Sequence, residues 1–590
     1  MMNSEIYSCQ SCKNQFTIEP EDFQFYEKVK VPPPTFCPDC RLQRRMLFRN
    51  ERTLYKRKCD APEHNEEVVS IFSPDKKQRV YDQKAWWGDG WDATAYARDI
   101  DFSRPFLEQV KELWVEVPDI ALININEVDS EYCSTTEGNK NCYLVIGGDF
   151  NEDCLYATFV FNSKECVDTY WVEKCELNYE TIDCIQCTRL LYSRYCEGCY
   201  DSAFLFNCRN CNNCFGCVNL VSKSYHIFNK PYQKEEYAQK LKELRLDSRS
   251  AIQEMKRAFA EHSIKYPRRF ARALRSINSV GDDLEEAKNC KMCFSIFGGA
   301  ENCKYCWLSY SGIKDSYDCD HFGKNSENSC DSSIVYPGSN VYFSRYVLTV
   351  HDVHYSYNCN NSSYLFGCIG VRNKQYCILN KQYSEEEYKN LIPKLIQHMN
   401  EKPYVDKRGR VFKYGEFFPP ELSPFAYNET VAQEYFPLTK EQALESGYAW
   451  KDPQKREYQA TMKSDDLPDT IQEVTDNILN QVIECEHAGT CNEQCSTAFK
   501  ITKSELEFYR KMNLPLPQLC SNCRHYVRFR QRNPIKLWHR QCACDYQVYK
   551  NFAKHQHHLE SRCPNEFETT YAPERKEIVY CESCYQQEIT

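Results

Sequence analysis

The sequence predicts a multidomain chain: a small zinc-ribbon or treble-clef-like module at each end and, between them, a parallel β-solenoid in two lobes closed by capping helices. Three observations predict it. Cysteines stand in knuckle-spaced pairs near both termini, the C-terminal segment copies the N-terminal one, and cysteines recur at a fixed interval in the middle.

At 590 residues the chain exceeds one domain, and three to five units are expected. The apolar fraction of 42% suffices for packed cores, while 37 Cys and 42 Tyr set the composition apart. A net charge of −10 excludes a polycation that coats nucleic acid indiscriminately, so any such contact must come from a local basic patch. The start, MMNSEIYSCQ, has no basic segment followed by an apolar run, and nowhere do 18 apolar residues follow one another. No secretory leader and no membrane span are therefore expected. In a chain that is not exported, an odd number of cysteines reads as thiols and metal ligands rather than disulfides, and the cytosol is the expected compartment.

The first module, residues 1–58, holds Cys9-x2-Cys12 and Cys37-x2-Cys40. Two such pairs can close a tetrahedral four-thiolate shell around zinc, which accepts thiolate readily and imposes no electronic geometry. Pro32, Pro33 and Pro34 stop any helix and deliver extended chain to the second knuckle. A shift of 483 places Cys12 on Cys495, Cys37 on Cys520 and Cys40 on Cys523, with seventeen identities in 48 gapless columns. The duplicate module is assigned to 485–541, its first knuckle reading Cys491-x3-Cys495.

A second ribbon, 542–590, is expected to close on Cys542, Cys563, Cys581 and Cys584, with Cys544 competing for the place of Cys542. In the N-terminal copy, 59–118, Asp82 and Ala85 stand where Cys581 and Cys584 would be. That copy is read as a metal-free hairpin followed by a docking helix, so about three zinc ions are expected in all.

Behind each second knuckle lies a basic stretch. Arg41, Arg45 and Arg49, and their counterparts Arg524, Arg528 and Arg532, fall at i, i+4, i+8 and line one face if helical. Guanidinium groups bind phosphate bidentately, and Phe48, Tyr55, Phe529 and Trp538 could stack on bases. In an acidic protein the same rows could instead dock on Asp and Glu of the central region.

In the centre, Cys133, Cys154, Cys175, Cys196 and Cys217 repeat every 21 residues among short β-prone pieces, which predicts one solenoid coil per 21 residues. The lobes are assigned to 119–229 and 283–383, joined by a helical segment at 230–282. A capping helix at 384–402 begins with a Ser384/Glu387 capping box, and an adaptor segment spans 403–484.

The stretches FCPDCRLQRRMLFRNERTLYKRKCD, DFSRPF, FGCIGVRNKQYCILNKQY and CPNEFETTYAPERKEIVYCESCY resemble a family of uncharacterised Cys-rich bacterial proteins. Some members carry a CaiB/BaiF-type CoA-transferase label, an activity that would need a placed Asp nucleophile in an α/β domain. Residues 80–118 and 403–484 contain no nucleophile elbow, phosphate-cradling Gly loop or zinc site with an open His position. The expectation is a zinc-binding, non-catalytic protein that grips RNA or DNA through its terminal modules. The alternatives are a protein-interaction scaffold or thiol/metal-responsive protein and, third, a solenoid enzyme acting on a polymer.

Overall fold

The computed structural model describes residues 3–589 apart from 65, 453–458, 549–550, 552 and 559–560. In the first lobe every third residue is turned inward and buried: Cys133, Cys142, Val145, Cys154, Ala157, Val160 and Cys166 among them. The residue just before each is left-handed, as at Tyr132, Asn141, Leu144, Asp153, Tyr156, Phe159 and Glu165. Sides of three residues thus meet at tight corners. A non-glycine residue in this conformation costs on the order of 1 kcal/mol. Hydrogen bonds between coils offset it, such as Thr158 N–H to Thr169 O at 3.0 Å and Tyr170 N–H to Thr181 O at 2.9 Å.

Four such sides make one coil. Thr158 pairs in parallel with Tyr170, and Tyr170 with Ile182, so the coil is twelve residues long. The expected 21-residue coil is therefore corrected. A step of twenty-one is one full coil plus three further sides, which puts Cys154, Cys175 and Cys196 on different faces of the solenoid. All three are buried, but Cys154 stacks over Cys142 and Cys166, whose neighbours Tyr143, Leu155 and Val167 pair in register. The thiols do not go unbonded: Cys154 Sγ donates to Ser163 O at 3.5 Å. One corner carries a polar ladder, in which Asn151 Nδ2 donates to Asn139 Oδ1 at 2.9 Å and Ser163 N–H to Asn151 Oδ1 at 3.0 Å.

The second lobe opens with steps of eleven and twelve residues, Ala273 pairing with Leu284 and Leu284 with Ile296. It passes into thirteen-residue coils, Phe294 pairing with Trp307 and Trp307 with Asp320, and ends with twelve-residue ones, Arg345 pairing with Tyr357. Its sheet takes in Ala273–Leu274 and continues to Lys381–Gln382. Each lobe ends in a short antiparallel hairpin followed by helix. After the first come Lys234–Glu243 and Arg249–Ser263; after the second comes Glu385–Glu401, with the Ser384/Glu387 capping box formed. Tyr388 of the last helix packs edge-on against Tyr364 and Tyr376, covering the open end of the stack.

The terminal modules repeat one order of elements. The hairpin Glu5–Ser8/Gln15–Ile18, helices Pro20–Lys28 and Pro38–Met46, and hairpin Tyr55–Lys58/Glu67–Ser70 form the first. The second is built of Ile483–Glu484/Ala498–Phe499, Lys503–Met512, Ser521–Phe529 and Trp538–Gln541/Glu566–Thr569. Each then lends a two-residue strand to the entrance of one lobe: Val80–Tyr81 pairs with Asp119–Ile120 ahead of the first, and Val579–Tyr580 with Arg268–Arg269 ahead of the second. No helix among the described residues is long and apolar enough to cross a membrane.

Candidate metal centres and the arginine rows

The first strand of each module ends at a cysteine, Cys9 after Glu5–Ser8 and Cys485 after Ile483–Glu484, and that thiol starts the knuckle. Its sulfur accepts an N–H from the second knuckle: Cys37 N–H to Cys9 Sγ and Cys520 N–H to Cys485 Sγ, both at 3.3 Å. The C-terminal ribbon repeats the contact with Cys581 N–H on Cys542 Sγ at 3.1 Å. Three groups of four thiols result, able to hold metal ions: Cys9, Cys12, Cys37 and Cys40; Cys485, Cys495, Cys520 and Cys523; and Cys542, Cys563, Cys581 and Cys584.

A tetrahedral shell with metal–sulfur bonds of about 2.3 Å has sulfur–sulfur edges of about 3.8 Å. Cys12 and Cys37 lie 3.7 Å apart, Cys485 and Cys523 3.9 Å, and Cys563 and Cys581 3.8 Å, so the donor sets fit. In each group one thiol (Cys9, Cys520, Cys581) is held far below its ordinary pKa by S–H groups of its neighbours, while others in the group are pushed up. Four thiolates side by side repel; a dication supplies the charge that lets them ionise together.

One expectation changes here, and one choice left open narrows. Cys485, absent from the sequence reading, takes the place given to Cys491, because the loop between the first two ligands of the duplicate is longer than a two-residue knuckle. Cys491 stays close, its sulfur 3.7 Å from that of Cys523. Cys542 joins the ribbon's four-thiol group, whereas Cys544 lies beside His555, its sulfur 3.3 Å from His555 Nδ1. In the N-terminal ribbon, Cys59, His64 and Asp82 converge: His64 Nδ1 is 2.6 Å and Cys59 Sγ 3.4 Å from Asp82 Oδ2.

The arginine rows do lie on the helices behind the second knuckles, but they face inward. Arg41 meets Asp318 at 2.9 Å, Arg45 is held between Asp320 at 2.7 Å and Asp331 at 2.6 Å, and Arg49 between Glu51 at 2.6 Å and Asp320 at 2.8 Å. In the duplicate, Arg524 meets Asp168 at 2.9 Å and Glu505 at 3.0 Å, Arg528 meets Asp168 at 2.6 Å, and Arg532 meets Asp183 at 3.2 Å. Burial alone would lower the pKa of Arg45, yet the carboxylates of Asp331, Asp320 and Asp318 hold it above its ordinary value. The expectation that these six arginines reach solvent and grip phosphate is overturned. Guanidinium groups buried against carboxylates of their own chain have no free fork to offer.

The partners cross over. The N-terminal module caps the first lobe with Val80–Tyr81 but sends its arginines into the second, at Asp318, Asp320 and Asp331. The C-terminal module caps the second lobe with Val579–Tyr580 but sends Arg524 and Arg528 into the first, at Asp168. Glu434 of the adaptor lies between the modules, 3.9 Å from Arg52 and 3.3 Å from His525. Arg44, which the row at every fourth position left out, joins Asp331 and Glu416 at 2.9 and 3.0 Å. The residues missed are the acids; DCD at 318–320 and CD at 330–331 were their signal.

No protein-family model matches the chain, and no curated protein does. Among solved structures, it is similar to a candidate acetyltransferase from Desulfovibrio desulfuricans G20 at 10% identity, over 51% of this chain and 76% of that one, with a TM-score of 0.10. A likeness of that size carries no argument about fold or activity.

Proposed function

We propose that this chain is a zinc-clasped, non-catalytic scaffold of a reducing compartment, the cytosol, in which two metal modules hold two solenoid lobes in one fixed arrangement. The observation that carries it is the crossed grip. Each module is anchored to one lobe by strand pairing and to the other by buried arginine–carboxylate pairs, and each is built around four thiols with tetrahedral spacing. Zinc is the ion best matched to an all-thiolate tetrahedral set. All 37 cysteines are free, which suits a compartment that keeps thiols reduced.

One surface open to a partner is the cleft between the lobes, about 1150 Å³, lined by Trp171 and Phe297 from the lobes and by Arg268, Tyr571 and Tyr585. We assign it to a protein partner rather than to RNA or DNA, since the arginine rows that suggested nucleic acid are spent inside the molecule. The test is hydrogen exchange on the full chain with and without a zinc chelator. Amides of Tyr317–Gly323 and of 167–172, which lie under the arginine rows, should lose protection when metal is removed. Unchanged protection in fully metal-free protein would overturn the clasp.

A further inference from the structure

We infer that the C-terminal ribbon holds a second metal ion beside its four-thiol site, bound by Cys544, His555, His558 and the shared thiolate of Cys584. These four residues are buried, and their ligand atoms all lie within 4.8 Å of one another. The edges run Cys544 Sγ to His555 Nδ1, His555 Nδ1 to His558 Nε2, and His558 Nε2 to Cys584 Sγ, each 3.3 Å. Bonds of about 2.0 Å to nitrogen and about 2.3 Å to sulfur give tetrahedral edges of roughly 3.3 to 3.8 Å.

The outer contacts point the same way. His555 Nε2 is 2.9 Å from Glu588 Oε1, and both side chains are buried. His558 Nδ1 is 2.8 Å from the carbonyl oxygen of Ser561. Each ring therefore gives its remote N–H to an oxygen, which leaves the lone pairs of His555 Nδ1 and His558 Nε2 facing each other and two sulfurs. Two nitrogen lone pairs and two sulfurs converging in a buried space make a donor set for one cation. A carboxylate or carbonyl behind each histidine is the arrangement that fixes the tautomer of a metal ligand. Asn551 Nδ2 donates to Cys544 Sγ at 3.2 Å, supporting the thiolate from outside the shell.

Cys584 also belongs to the group with Cys542, Cys563 and Cys581, so its sulfur bridges. Five thiolates and two neutral imidazoles around two dications carry a net charge of −1, less than a lone four-thiolate zinc. Binding releases the thiol protons and changes no oxidation state. The mixed sulfur–nitrogen set selects zinc or another borderline-soft dication. His557 is exposed, its Nε2 3.4 Å from Cys563 and 3.3 Å from Cys584, and is left outside the inner set.

The inference goes beyond the clasp, and its failure is separable. Metal analysis of full-length, zinc-loaded protein should give four ions per chain. His555→Ala or Cys544→Ser should give three, and His557→Ala should leave four. Three ions in the parent chain, or loss of one on His557→Ala but not on His555→Ala, would overturn it while leaving the clasp untouched; no tightly held zinc at all would sink both. Because loss of a ligand can unfold the ribbon, cadmium-113 NMR of the parent chain gives an independent answer. Two cadmium signals coupled through the Cys584 sulfur are expected, and uncoupled signals alone would contradict the bridge.

Discussion

Arg45 Nε lies 2.7 Å from Asp320 Oδ1, and neither side chain has any exposed surface. The two residues are 275 positions apart and belong to the N-terminal module and the second lobe. Asp320 also holds Arg49 through its other oxygen at 2.8 Å. One carboxylate thus compensates two buried guanidinium groups, and it sits on the coil strand Tyr317–Gly323.

Removing that carboxylate takes one of two carboxylate partners from each buried guanidinium, leaving Arg45 to Asp331 and Arg49 to Glu51. Losing a partner inside a buried ionic cluster costs about 3–5 kcal/mol, far more than an exposed pair is worth. Asp320→Asn is expected to destabilise the chain by that amount in urea unfolding. Asp315→Asn, which breaks the surface pair with Lys28, should change stability by less than about 1 kcal/mol. Equal effects from the two variants would contradict the docking role of the row.

The twelve-residue coil is checked on the solenoid's outside. Glu152 and Lys164 bridge in parallel on neighbouring coils, so their α-carbons stand about 5 Å apart, within disulfide reach. Cysteines placed at both positions should cross-link on mild oxidation of the folded chain. Cysteines at Glu152 and Glu173, twenty-one residues apart, should not. A disulfide in the second pair and none in the first would restore the longer coil.

The course of the chain explains what sequence could and could not reveal. Knuckle pairs such as Cys37/Cys40 and Cys520/Cys523 are local, so spacing alone identified them. The duplication was legible because seventeen aligned residues are identical. The coil length was misread because only cysteines were counted, while the inward series also uses Val145, Ala157 and Val160. The correct signal was present: Cys133, Cys142, Cys154, Cys166, Cys175, Cys184 and Cys187 are all separated by multiples of three. Cys485 was missed because it lies ten residues before Cys495, outside any knuckle spacing. The direction of the arginine rows depends on acids hundreds of residues away, and only the folded chain brings those together.

His354 tests burial by pH. It lies on the outer side of the second lobe, stacked between Phe366 and Tyr414 and partly buried, and that burial lowers its pKa from the ordinary 6.5 to about 3. The unfolded chain therefore binds a proton that the folded chain refuses, so stability falls as pH drops from 6.5 toward 3. At pH 4 this amounts to roughly 3 kcal/mol. His354→Phe keeps an aromatic ring in the stack and should flatten the decline by that amount, measured as the difference between parent and variant in denaturant titrations at pH 7 and pH 4. Parallel pH curves would contradict a buried neutral imidazole.

Alkylation separates the thiols. Cys12 is exposed and Cys40, Cys491 and Cys495 are partly so, whereas the solenoid cysteines are buried. With iodoacetamide and mass mapping, the native metal-loaded chain should react slowly at the ligands Cys12, Cys40 and Cys495, since metal-bound thiolates are protected, and faster at Cys491, which is partly exposed and outside the four-thiol group. Chelation should speed the labelling of Cys12, Cys40 and Cys495 first and leave Cys154, Cys166 and Cys187 unmodified. Early labelling of the solenoid thiols would mean that the coils open before the ends do.

The most direct test of the crossed clasp is small-angle X-ray scattering of the reduced full chain before and after zinc is removed. With metal, the profile should match one compact particle with both lobes in contact. Without it, the arginine-bearing helices lose their anchors, and the radius of gyration and longest dimension should both rise while circular dichroism still reports β-coil. Complete zinc removal with an unchanged scattering profile would contradict the account.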